Sequence, residues 1–421
     1  MPGLSEGTSA ENTGRTDYAH STGVLGPAAV PLRDCNRSAC PALPFMRQLL
    51  LFFCLLAARA TLLADERPAP PSQPAAGPGG SDYPHAAVRE SKHGSGGTAY
   101  HLFEPDRPVP ESAPVIVFLH GWTAMDPWLY GAWINHLARR GNIVIHARYQ
   151  ESALTPTEDF TSNTVTAVKA ALEEMERPGR VKPDKSRFAI AGHSVGGLLT
   201  ANLAALATEC HLPLPRALMS VQPGRSARGQ RGFGVKMEDL SKLPKDALLL
   251  CLTGERDRVC GDTDAIRILT ESTSIPAGRK NHIVLTTDTH GRPALTGSHL
   301  GPCSVPADPP DALIATGTVK EPDIATMFAA AAGNFTPARA FLGTPEGRQW
   351  RRDKLSATSI AETFDPSNAQ DFAIWRLFDA LCEAAFTGKV TVDALGMSPR
   401  SLEMGKWSDG TPVKPMRSGG K

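Results

Sequence analysis

The chain has 421 residues, with 44 lysines and arginines against 43 aspartates and glutamates, a formal net charge of +1. That balance argues against the concentrated basic face a nucleic-acid partner needs. A hydrophobic fraction of 41% with 21% charge excludes disorder over the whole length, and no apolar run reaches the 18 residues that would announce a membrane span.

Residues 1–45 are polar, glycine-rich and without period, and are read as a doubtful upstream segment. Met46-Arg47-Gln48 then leads into an uninterrupted apolar stretch, Leu49–Ala58, followed by small residues and Asp65-Glu66. A positive start, a short greasy run and a small-residue exit mark a secretory signal peptide over 46–64, with Ala60 or Ala64 before the cut. The chain is therefore expected to be secreted or periplasmic, with no stable membrane span once the leader is removed. Residues 65–97 are rich in Pro, Ala, Gly and Ser and read as a solvated linker.

The texture changes at Thr98. Val115–Leu119 is a continuous apolar run bounded by Pro114 and Gly121. Similar runs follow at Asn142–His146, Arg187–Ala191, Ala217–Val221, Ala247–Leu252 and Ile283–Thr286. Such runs suit strands covered on both faces. Helical patterns lie at Thr161–Arg177, Ser194–Thr208 and Asn368–Phe386. The alternation predicts an α/β domain over 98–421, with a mostly parallel central sheet and helices on both faces. Residues 301–366 break it and read as an insertion before the last core helix, either a lid or a passive excursion.

The strongest chemical signal is Gly192-His193-Ser194-Val195-Gly196, a G-x-S-x-G pattern. An apolar strand runs into it and an apolar helix runs out. A sharp strand-to-helix turn lifts a serine oxygen clear of the sheet, and the glycines two residues to either side relieve the crowding. A serine hydroxyl needs a base to take its proton, and the base needs a third group to fix its tautomer.

At this point the sequence resembles the α/β-hydrolase superfamily over about residues 98–390. The segments Gly121-Trp122 and Gly192–Gly197 look like its dienelactone-hydrolase, cutinase and chlorophyllase-like branch. The resemblance implies the chain order Ser, acid, His. The acid it favours is Asp257, in Gly254-Glu255-Arg256-Asp257-Arg258-Val259 after a strand, with Glu255 and Asp262 as rivals. The base it favours is His290, just after the final strand run. His299, in Gly297-Ser298-His299, resembles the Ser-His segment of cutinase-like members and is the alternative. His282 opens the strand at the wrong end of the sheet and is read as structural. The implied oxyanion donors are the backbone amides of Val195 and Trp122.

Trp122, Trp128, Tyr130 and Trp133 cluster in the loop after Val115–Leu119, and Trp122, Trp128, Tyr130 and His193 are expected to form a substrate pocket. For Trp133 a core role is equally compatible. Removal of the leader leaves Cys210, Cys251, Cys260, Cys303 and Cys382. Since the acid and histidine loops converge on Ser194, a Cys260–Cys303 disulfide is expected, with Cys251 and Cys382 as buried thiols. No H-E-x-x-H, paired C-x-x-C, Walker loop or post-strand G-x-G-x-x-G is present, so no cofactor or metal is expected. The reading that results is an exported serine hydrolase cleaving a small or polymeric carboxylic ester. An acyltransferase or peptidase on the same triad, or a non-catalytic binding domain of the same fold, are the alternatives.

Overall fold

A computed structural model describes residues 67–227, 234–304 and 370–419, with the side chains of 370–372 left aside. The expected leader, the segment 1–45 and nearly all of the expected insertion 301–366 lie outside the described residues.

The apolar runs become one nine-stranded sheet. Its strands are β1 (Ala87–His93), β2 (Tyr100–Asp106), β3 (Ser112–Leu119), β4 (Ile143–Ala147), β5 (Lys182–His193), β6 (Ala217–Val221), β7 (Leu248–Gly254), β8 (Lys280–Leu285) and β9 (Arg417–Ser418). They lie in the order β1-β2-β4-β3-β5-β6-β7-β8-β9. From β4 to β8 every neighbour is parallel, and β1, β2 and β9 add antiparallel edges. The mostly parallel α/β sheet read from the alternation is present, and it fits the α/β-hydrolase fold that the resemblance implied.

The α-helices among the described residues are α1 (Gly131–Arg139), α2 (Phe160–Glu174), α3 (Val195–Ala205), α4 (Thr263–Glu271), α5 (Arg376–Thr387) and the short α6 (Pro399–Leu402). Alternation along β3 divides the core. Val115, Val117 and Leu119 face a cluster shared with α2 and α3, while Ile116 and Phe118 face one shared with α1 and α5. All eleven residues of α3 are buried, so this helix shows no polar stripe: it is covered on every side. Trp133 is fully buried and packs edge-on against Phe118 and Phe378, which settles it as a core anchor.

The expected linker is corrected in its described part. Ala87–His93 pairs along its whole length with β2. The Pro/Gly-rich stretch before it is strapped to the domain by specific bonds. The amide of Gly79 donates to Asp379 Oδ2 at 2.8 Å, and Gln73 Nε2 donates to the Gly79 carbonyl and to Tyr83 Oη, each at 2.9 Å. Tyr83 Oη lies 2.9 Å from His136 Nδ1, whose Nε2 is 2.9 Å from Asp379 Oδ2. Composition reports a lack of apolar payload; it does not report backbone and side-chain polar groups that find partners in distant elements.

Candidate active site

β5 delivers the chain into a turn at Ser194 and α3 carries it away. Ser194 has φ 58 and ψ −119, a conformation that L-residues avoid. A Cβ at Gly192 would overlap the Gly196 carbonyl, and one at Gly196 would overlap the Leu119 carbonyl. These two positions tolerate only glycine, for the reason the sequence pattern suggested. The turn is locked from below: Ser194 N–H donates to the Val221 carbonyl at 2.9 Å, and the Ser194 carbonyl accepts from Gly197 N–H at 2.9 Å.

His299 Nε2 lies 3.0 Å from Ser194 Oγ, and His299 Nδ1 lies 2.9 Å from Asp257 Oδ2. The other carboxylate oxygen, Asp257 Oδ1, accepts from the amides of Val259 at 2.8 Å and Cys260 at 3.0 Å. Burial opposes a charge on Asp257, but the His299 bond and the two amides outweigh it and hold the carboxyl below its usual range. Burial likewise opposes a charge on His299; bonds to Asp257 and Cys260 reverse that and raise the ring to about 9.

His290, the favoured base, is not at the site. Its Nε2 lies 2.7 Å from Asp409 Oδ2, its side chain is 40% exposed, and its ring leans on Trp407 at 5.9 Å. The cause is a detour in the loop. Asp288 and Leu295 exchange both backbone bonds, so residues 289–294 form an outward tip and the chain must return before it reaches Ser194. The return arm is fixed by Gly297 N–H to Thr287 Oγ1 at 3.1 Å, Arg256 N–H to the Gly297 carbonyl at 2.8 Å and Gln222 Nε2 to the Ser298 carbonyl at 2.7 Å. The rival acids stand elsewhere: Glu255 accepts the Thr287 amide, and Asp262 lies at the start of α4. His282 bonds Thr253 Oγ1 in the sheet, as a structural residue would.

The loop after β3 passes over the serine, with the Cβ position of Gly121 only 3.5 Å from Ser194 Cβ. The amides of Gly121 and Thr123 are taken by Tyr130 Oη and Gln150 Oε1, and that of Ala124 by the Gly121 carbonyl. Trp122 stands between them, half-buried, with the Arg225 guanidinium 5.2 Å from its ring centre. Val195 is the first residue of α3, where a backbone amide precedes the first intrahelical bond.

Tyr130 and His193 do not line an open pocket as expected; they are 0% and 3% exposed. Tyr130 Oη accepts from Gly121 N–H at 2.9 Å and lies 2.9 Å from His193 Nδ1, while His193 Nε2 is 2.8 Å from the His299 carbonyl. A tyrosine proton given to Nδ1 leaves Nε2–H to hold the His299 carbonyl. Burial and the nearby charge of His299 keep His193 neutral, its pKa held down at about 3. The pair thus braces both the loop after β3 and the histidine arm from behind. Trp128 packs against the α1 and α5 side of the core.

The expected disulfide is also corrected: Cys260 and Cys303 are not bonded to each other and both stand as thiols. Cys303 is buried beside Tyr130, with its thiol pushed up to about 12 by burial, and Ser304 next to it bonds the Leu129 and Ala132 backbone at the head of α1. Cys260 instead sits against the serine and histidine. The loops converge as expected, but their thiols are spent on different neighbours. Gln222, Arg225 and Cys260 are the site neighbours that the sequence did not single out for these places. Gln222 and Arg225 follow a strand's C-terminal end, a general position for function, and Cys260 shares the tight turn whose amides hold Asp257.

Residues 100–231 match the model of the family described as Chlorophyllase, which lies within the α/β-hydrolase superfamily. No curated protein matches the chain. The family match and the sheet agree, and make the chain similar to ester hydrolases of the α/β fold.

Proposed function

We propose that the chain is a serine esterase working through an acyl-enzyme, with Ser194 as nucleophile, His299 as base and Asp257 as orienter. The observation that carries this reading is the single line of bonds from Asp257 Oδ2 through the His299 ring to Ser194 Oγ, at 2.9 and 3.0 Å. Ser194 Oγ attacks the ester carbonyl while His299 Nε2 takes its proton. The charge that grows on the carbonyl oxygen is held by the amides of Val195 and Trp122, donors worth about 3–4 kcal/mol each at such sites. His299 then gives its proton to the departing alcohol. Water, activated by the same ring, releases the acid and restores the serine.

Asp257, fixed by two amides, holds Nδ1–H toward itself throughout; once the ring, its pKa raised to about 9, has lost the Nε2 proton, Nε2 presents a lone pair to the serine, so turnover should rise with pH toward about 9. Export through the leader 46–64 belongs to the same proposal; sequencing the N-terminus of the mature protein should find it shortly after Ala60 or Ala64. The test of the chemistry is hydrolysis of p-nitrophenyl esters of rising chain length, together with labelling by a fluorophosphonate. Wild type should turn over and label on Ser194. Labelling that persists in Ser194→Ala, or no turnover on any chain length, overturns the reading.

A further inference from the structure

Cys260 Sγ lies 3.9 Å from Ser194 Oγ and 3.9 Å from His299 Nε2, and those two atoms are 3.0 Å apart. Three donors of different softness thus surround one small space. Asp257, Cys260 and His299 are, among the described residues, the one group of His, Cys and carboxylate donors gathered closely enough to hold an ion. A tetrahedral Zn²⁺ with a Zn–S bond of about 2.3 Å and a Zn–N bond of about 2.0–2.1 Å sets sulfur and nitrogen about 3.6 Å apart. The observed separation needs to close by only a few tenths of an ångström.

The outer shell also fits. Metal-bound imidazoles usually donate their second ring N–H to a carboxylate, which fixes the tautomer and strengthens the ligand. Asp257 does this to His299 Nδ1 already. A Cβ at Gly224 would overlap Cys260 Sγ, so backbone packs against the thiol and limits where it can turn. The sequence offers no zinc motif because the ligands come from three separate loops.

We propose that Cys260 Sγ, His299 Nε2 and Ser194 Oγ form a binding site for a thiophilic divalent cation of the Zn²⁺ type, and that its occupation switches the hydrolase off. The inhibitory half rests on the serine-esterase reading; the binding half does not. On binding, the Cys260 thiol and the His299 Nε2–H each lose a proton to solvent, and the sulfur gives an electron pair to the metal. His299 Nε2 gives the metal the lone pair that would have taken the serine proton, so the attack on ester stops. Removal of the ion by a chelator returns that lone pair. Hard cations that prefer oxygen, Mg²⁺ and Ca²⁺, do not compete for a sulfur–nitrogen pair.

The experiment has two readouts on the full chain. Co²⁺ replaces Zn²⁺ as an optical probe, and a thiolate-to-cobalt absorption band should appear in wild type and in Ser194→Ala and vanish in Cys260→Ala and Cys260→Ser. Zn²⁺ titrated against ester turnover should inhibit wild type reversibly with EDTA. The half-inhibiting concentration should rise by about 100-fold in both Cys260 variants, each compared with its own metal-free rate. Excess Mg²⁺ should do nothing. A cobalt band that survives both Cys260 substitutions, or no band at all, overturns the site. A band without zinc inhibition in an enzyme that turns over overturns the switch. A chain that binds cobalt through Cys260 yet hydrolyses no ester overturns the esterase reading and leaves the site standing.

Discussion

His290 and His299 stand in one loop after β8, yet the fold uses them in opposite ways. His290 rides the outward tip, exposed and paired with Asp409 beside Trp407. His299 rides the return arm, 12% exposed, between a buried carboxylate and a serine. Proximity to the strand end favoured the first; the bridge between Asp288 and Leu295 selects the second. A loop that doubles back delivers its later residue to the sheet's edge, and the polar groups that lock the return arm matter more than sequence distance.

The widest separation should come from removing each ring. Ser194→Ala and His299→Ala should each lower kcat by roughly 10⁴–10⁶-fold, since members of a triad fail together. His290→Ala should stay within a few-fold of wild type. Equal losses at the two histidines, measured on a p-nitrophenyl ester, would break the comparison. Next come the carboxylates behind them. Asp257→Asn should cost about 10⁴-fold in kcat by offering Nδ1 the wrong partner, whereas Asp409→Asn should leave turnover unchanged.

A third change acts on the brace. Tyr130→Phe strands the Gly121 amide and the His193 ring in a buried place, which should destabilise the fold by about 1–3 kcal/mol in a denaturant titration. It should also lower kcat more than it raises KM, because both the oxyanion loop and the histidine arm lose a fixed support.

The smallest effect concerns histidines remote from that loop. Burial holds His120 at about 3 and His146 well below 6.5, and neither His146 nitrogen has a partner among the described residues. In the unfolded chain both titrate near 6.5, so below that pH the unfolded state binds protons that the fold refuses. Stability is therefore intact above pH 6.5 and is lost as pH falls below it, for His120 down to about 3. His146→Phe, next to Phe118 and His120, should flatten this decline. Melting temperatures between pH 7 and pH 4 would show it; an unchanged slope sinks the assignment.

The serine elbow was readable because its cause is local. Gly192 is dictated by the Gly196 backbone within the same turn and Gly196 by the end of β3, and the apolar runs on either side announce a strand and a helix. The strands β3 to β8 were legible for a similar reason, since burial on both faces leaves an uninterrupted apolar signature. β1 was not: Ala-Val-Arg-Glu-Ser-Lys-His is an edge strand with no fully buried residue, and it reads as linker. The aromatic cluster after β3 announced hydrophobic payload without saying on which side of the loop each ring would fall. Tyr130 went inward to hold His193, and Trp122 stayed near the surface beside Arg225.

What the amino-acid order determined alone was the fold class and the strained serine, because periodicity and sterics act over a few neighbours; Asp257 followed from the resemblance of its turn to the superfamily's acid loop. What only the tertiary structure decided was which imidazole meets that serine, and what the Cys260 thiol faces instead of a disulfide partner. Those outcomes depend on hydrogen bonds between loops far apart in the chain, such as Gln222 to Ser298 and His193 to His299, and no local pattern encodes the path a loop takes between them.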